Sequence, residues 1–136
     1  MMGSEQYRRQ AAVTGMTRVE MLLALYDRAI LHLQAAEEAH AKGDAANASL
    51  EQFQAQKMIF GLFAGLKTDD SEIANNIGRL LGFVMDCLVK KDFAPAEKTL
   101  GNLRDTFEKI REEAIRLEQS GTIPSLSQSH AVEVTV

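Results

Sequence analysis

The stretch Thr17–His40, TRVEMLLALYDRAILHLQAAEEAH, decides the fold. Thr17 followed three residues later by Glu20 is a capping box, in which hydroxyl and carboxylate satisfy backbone N–H groups orphaned at a helix start, so the helix is expected to begin at Arg18. Beyond it Val19, Leu22, Leu23, Tyr26, Ile30 and Leu33 recur at three- and four-residue steps, which puts them on one face of a 3.6-residue period. That face must be buried. Met21, Leu25 and Ala29 widen the stripe beside it, so the apolar surface exceeds what one helical seam requires. Each of these residues taken singly is ordinary packing against a neighbouring helix.

Working outward, Gly43 supplies a left-handed cap at Lys42-Gly43-Asp44 and Asp44 can cap a second helix, so a tight helical hairpin is expected. The second helix runs from about Ala45 to Leu66, with Leu50, Phe53, Ile59, Phe60, Phe63 and Leu66 as its apolar positions, and ends in the polar run Lys67–Ser71. A third, from about Glu72 to Lys91, places Ile73, Ile77, Leu80, Leu81, Val84 and Leu88 on its face. Asp92 and Pro95 mark the start of the fourth, Pro95 suiting a first turn. In the fourth, Ala96, Leu100, Leu103, Phe107, Ile110, Ala114 and Leu117 alternate steps of four and three as one unbroken seam. Short connections make neighbouring helices antiparallel. The expected fold is therefore all-α, an antiparallel up-down-up-down four-helix bundle over residues 17–120, with an N-terminal arm (1–16) and a loose, Ser- and Thr-rich tail (121–136).

At 136 residues the chain suits a single core, and its size lets it bury roughly two thirds of the surface that its unfolded form exposes. A formal net charge of −4, with lysines and arginines scattered among acids, leaves Arg8-Arg9 as the nearest thing to a basic cluster, and no nucleic-acid partner is expected. No apolar run reaches the ~18 residues of a membrane span, and no basic-then-apolar leader stands at the N-terminus. A cytoplasmic protein without membrane insertion is the expectation. The single Cys87, among Val84, Leu88 and Val89, reads as a buried small hydrophobe.

Gly61, Gly65, Gly78, Gly82 and Gly101 fall inside the expected helices, where glycine costs about 1 kcal/mol relative to alanine. Close helix packing is the ordinary reading. A shallow notch around Gly78 that receives another chain's side chains is the alternative.

Catalytic patterns are missing. Glu37 and His40 form one Glu-x-x-His pair, whereas di-iron bundles need two such pairs and two further glutamates; a solvated pair is expected, with no metal. His40-Ala41-Lys42-Gly43 approaches the signature of a histidine phosphotransfer domain, but its spacing departs by one residue and the helix stops at once. His32 lies off the main apolar face and is expected in solvent. No enzyme activity and no cofactor is expected.

The run Glu20–Ile30, EMLLALYDRAI, resembles the first long helix of the flagellar export chaperone family FliS, with its Leu-Tyr-Asp-x-Ala-Ile core. Lys42-Gly43-Asp44 is similar to that family's first turn, Glu72-Ile73-Ala74 with Asn76-Ile77 to its third-helix start, and Lys90-Lys91-Asp92 to its third turn. Leu103-Arg104-Asp105-Thr106-Phe107 resembles the family's Leu-Arg-x-x-Trp. Similarity extends in order from Tyr7 to Arg116. Arg18 stands where the family usually has proline, Leu81 and Phe83 replace tyrosines, and Phe107 replaces the tryptophan.

The resemblance implies a cytoplasmic chaperone that binds the C-terminal helical segment of flagellin, prevents its early polymerisation and delivers it to the export apparatus, without catalysis. A client helix would lay its apolar face on the excess stripe of the first helix. By position, the resemblance carries partner binding over to Tyr7, Tyr26 and Asp27; the surplus stripe of the first helix adds Met21 and Leu25, and the notch reading adds Gly78, with Tyr7 and Leu25 expected as direct contacts. Tyr7 matches an arm tyrosine that packs on the client surface in relatives, and Tyr26, on the core face, is more structural. Asp27 is placed to accept a hydrogen bond from the arm. The competing reading is a self-associating helical bundle; a weak homodimer is compatible with either.

Overall fold

The computed structural model describes residues 15–66 and 70–123. Among them the chain is helical and has no strand: α1 is Arg18–Ala41, α2 Ala45–Ala64, α3 Glu72–Val89, α4 Phe93–Lys109 and α5 Arg111–Gln119. The arm containing Tyr7 and the tail beyond Ile123 lie outside the described residues.

α1 starts where the capping box puts it. The Glu20 carboxylate accepts hydrogen bonds from the Thr17 backbone N–H at 3.1 Å and its hydroxyl at 2.8 Å, and these bonds hold its carboxyl below the usual carboxylate range. At the other end Gly43 adopts φ +76°, a conformation that side chains with a Cβ avoid. Asp44 then accepts from the Asn47 N–H at 3.2 Å and caps α2.

α2 turns a different face to the core from the one expected. Leu50, Phe53 and Phe60 are 53%, 55% and 44% exposed, while Ala48, Gln52, Ala55, Ile59 and Leu62 are buried. Those buried positions also follow steps of four and three. Packing along α1, whose Ala29 and Ala36 are buried as well, favours the side with small residues because they let two helix backbones approach. The larger rings are left outside.

α3 is capped by Ser71, whose Oγ accepts from the Ala74 N–H at 3.1 Å. It buries Leu81, Val84, Cys87 and Leu88, but Ile73 and Leu80, expected on the same face, are 73% and 43% exposed. The reason is the asymmetry of its neighbours: α3 lies along α4 and meets α2 only sparsely. Where it does meet α2, buried Gln52 donates to the Leu88 carbonyl at 3.2 Å and accepts from Lys91 Nζ at 2.7 Å. Lys91 itself holds φ +59° in the turn before α4.

The single fourth helix expected through Leu117 is two helices. Ile110, at φ −101° and ψ 4°, closes α4 with an N–H bond to the Phe107 carbonyl at 3.2 Å, and the chain restarts as α5. Ile110 is 50% exposed, so the seam expected to run unbroken is interrupted there. The bend carries α5 across the start of α1, where Glu118 becomes buried and accepts from the Arg18 N–H at 3.0 Å.

α1 and α4 run antiparallel. His40 meets Phe93 with ring centroids 5.8 Å apart, Asp27 meets Arg104, and Tyr26 stacks on Phe107 at 5.7 Å, so numbers fall along one helix as they rise along the other. The core between the helices is apolar, with Leu33, Ile59, Leu81, Leu88 and Leu100 fully buried. His32 departs from the solvent position expected of it: half-buried, its Nδ1 lies 2.6 Å from Glu51 Oε2 of α2.

Gly78, Gly82 and Gly101 are not points of close helix approach. A methyl placed on Gly82 or Gly101 would meet nothing within 4 Å, and one on Gly78 would meet Leu66 Cδ1 at 3.9 Å, an ordinary contact. Gly65 lies just past the end of α2.

Candidate functional site

The sparse meeting of α2 and α3 leaves an open apolar groove of about 530 Å³ at the end of the molecule where α1 and α3 start and α2 and α4 finish. α1 supplies Leu22 and Tyr26, α2 supplies Leu62 and Leu66, α3 supplies Ile73, Ile77 and Leu80, and α4 supplies Leu103 and Phe107. Ile110, at the α4–α5 break, completes the wall. The break therefore serves the site as well as α5: an uninterrupted helix would carry the chain past α1.

Tyr26 is the pivot of this region. It is 1% exposed and stacked on Phe107 with 28° between ring planes, an offset aromatic contact worth about 0.5–1.5 kcal/mol beyond simple burial. Burial also pushes its phenol well above the usual tyrosine range, so it stays neutral under ordinary conditions. Beside it the exposed Asp27 carboxylate accepts from Arg104 Nε at 2.9 Å.

The other residues singled out in the sequence are dispersed. Met21 is half-buried against the core, and Leu25 is 5% exposed within it. Gly78 is half-buried, next in sequence to the groove residue Ile77 and in reach of Leu66. Of the described residues in that set, the structure brings only Tyr26 into the groove wall. Most of the wall was read in the sequence as the core faces of separate helices; no local signal separates a residue that meets a neighbouring helix from one facing a gap between two. The nearest hint is the surplus of large apolar residues.

The chemistry of the wall is that of apolar contact. No group of three or more His, Cys, Asp or Glu suited to a metal ion occurs among the described residues, and no described helix is long and apolar enough to cross a membrane.

Fold and groove together define an all-helical protein with an open apolar cleft framed by four of its helices. The chain belongs to the FliS family: the family model described as flagellar protein FliS matches residues 1–114, from the arm to the first turn of α5. That is a family of flagellar export chaperones, not of enzymes. Comparison with curated proteins and with solved structures returned no match.

Proposed function

We propose that this chain is a cytoplasmic chaperone that binds the C-terminal helical segment of flagellin, keeps it from polymerising and passes it to the flagellar export apparatus. Its working form is an antiparallel four-helix bundle whose last helix is broken at Ile110. The observation that supports this reading best is the groove: Ile73, Leu80 and Ile110 are 73%, 43% and 50% exposed around it, an arrangement that suits the apolar face of an amphipathic client. The reading needs no catalysis and no cofactor.

Within it, Tyr7 and Met21 touch the client, Leu25 and Tyr26 hold the α1 wall from beneath, and Asp27 fixes α4 through Arg104. Gly78 leaves room beside Leu66 for a client side chain. The test is calorimetric titration with a peptide covering the C-terminal helical region of flagellin from the same organism. Saturable, roughly one-to-one binding with a negative heat-capacity change is expected. No heat and no complex on a sizing column would remove the reading. Gly78→Leu should abolish binding with an unchanged melting temperature.

A second reading, self-association, is favoured by the outward stripe of Leu50, Phe53 and Phe60 on α2. Sedimentation separates them: a monomer or weak dimer fits the chaperone, and a tight assembly fits the alternative.

A further inference from the structure

The side chains that line the groove are apolar except for three: Tyr26, Asn76 and Thr106. Asn76 and Thr106 are exposed, and both are engaged: Asn76 accepts from Arg79, and the Thr106 hydroxyl donates to the Asn102 carbonyl at 3.0 Å. Tyr26 differs from them in burial and in pairing. It is 1% exposed with its ring stacked on Phe107, and its hydroxyl makes no hydrogen bond among the described residues.

A phenol oxygen sealed in a core without a partner would cost the fold free energy. This one is not sealed. Among the described residues Glu97 Oε2 is the sealed side-chain oxygen that lacks a partner, whereas Tyr26 borders open space in the groove wall. Leu22, Leu103 and Phe107, which line that wall with it, carry no side-chain donor or acceptor.

We propose that the Tyr26 hydroxyl is the specificity contact of the groove, and that it hydrogen-bonds one hydroxyl or carboxamide side chain set within the otherwise apolar face of the client helix. The contact presupposes the chaperone reading and deepens it, since a wholly apolar wall would accept any amphipathic helix of suitable width. A helix satisfies its own backbone groups along its length, so the partner is a side chain. It is uncharged, because an ionised group would leave water for an apolar wall that offers no counter-charge. Burial pushes the phenol well above the usual tyrosine range, so the hydroxyl keeps its proton and can donate as well as accept. A buried polar group discriminates more sharply than a hydrophobic wall does, because an apolar ligand leaves it unpaired.

The test is Tyr26→Phe, which keeps the ring, its stacking on Phe107 and the volume of the wall. Its melting temperature should equal or exceed that of the parent, since no bond within the protein is lost. A marked fall would put the partner of the hydroxyl inside the fold and overturn the proposal with no client present. The variant should bind the C-terminal flagellin peptide about tenfold more weakly, through the loss of one hydrogen bond in a contact that excludes water. Alanine replacement of each Ser, Thr, Asn and Gln of the peptide in turn should then reveal one position that weakens binding to the parent and leaves binding to Tyr26→Phe unchanged. Equal binding by parent and variant, or the absence of any such coupled position, overturns the specificity contact alone. No binding by the parent overturns the chaperone reading and the contact with it.

Discussion

Glu118 reaches across a hundred positions of sequence to accept the backbone N–H of Arg18 at 3.0 Å. The carboxylate closes a donor that the start of α1 would otherwise leave open, and it sits where the positive end of the helix dipole favours an anion. α1 is thus capped twice, by Glu20 from within and by Glu118 from α5.

Replacing that acceptor should be measurable. Glu118→Ala is expected to cost about 1–3 kcal/mol, the range for leaving a buried donor without its partner, and Glu118→Gln, which keeps an acceptor, should cost less. Urea unfolding gives the totals, and hydrogen exchange should speed up at Arg18 and along α5 first. Equal exchange in variant and parent would mean that the contact does not anchor α5.

Gln52 is the polar tie between α2 and the turn before α4. Its amide serves the Leu88 carbonyl and Lys91 Nζ together, so Gln52→Ala is expected to lose about 1–3 kcal/mol through buried groups left unpaired. Lys91→Met is the companion variant, because it removes only the charged half of the tie and should lose less. The order of the two in a denaturant titration checks the assignment.

The lip of the groove should separate binding from folding. Ile73→Asp changes a residue that is 73% exposed, and surface substitutions of this sort fall within about 0.5 kcal/mol in stability. Its affinity for the flagellin peptide should drop tenfold or more, about 1.4 kcal/mol. Leu31→Asp, 64% exposed and outside the groove wall, is the control and should bind like the parent. Equal losses in both would argue against a localised site.

Cys87 is buried, and burial followed by the nearby Asp92 charge pushes its thiol up. Since the thiolate is the reactive form, a thiol reagent at neutral pH should modify the native protein slowly and the urea-unfolded protein at once. Rapid labelling of the native protein would show that the α3–α4 end opens readily.

How far the sequence could be read depended on whether a signal was local. Thr17 with Glu20 fixed the start of α1, Gly43 and Asp44 fixed the first hairpin, and Asp92 with Pro95 placed the start of α4, because caps and turns depend on residues within a few positions of one another. The face of α2 was not accessible in the same way. Phe53 and Phe60 are no less periodic than Ala55 and Ile59, and only close packing on α1 selects between them.

The sequence by itself determined an all-helical chain, most of its helix boundaries and its family, since these rest on short-range hydrogen bonding and on motifs kept in order. Tertiary structure alone decided the break at Ile110, the cap from Glu118 and the groove between α2 and α3. Each of these depends on the spacing and rotation of whole helices, which long-range packing sets and no local pattern encodes.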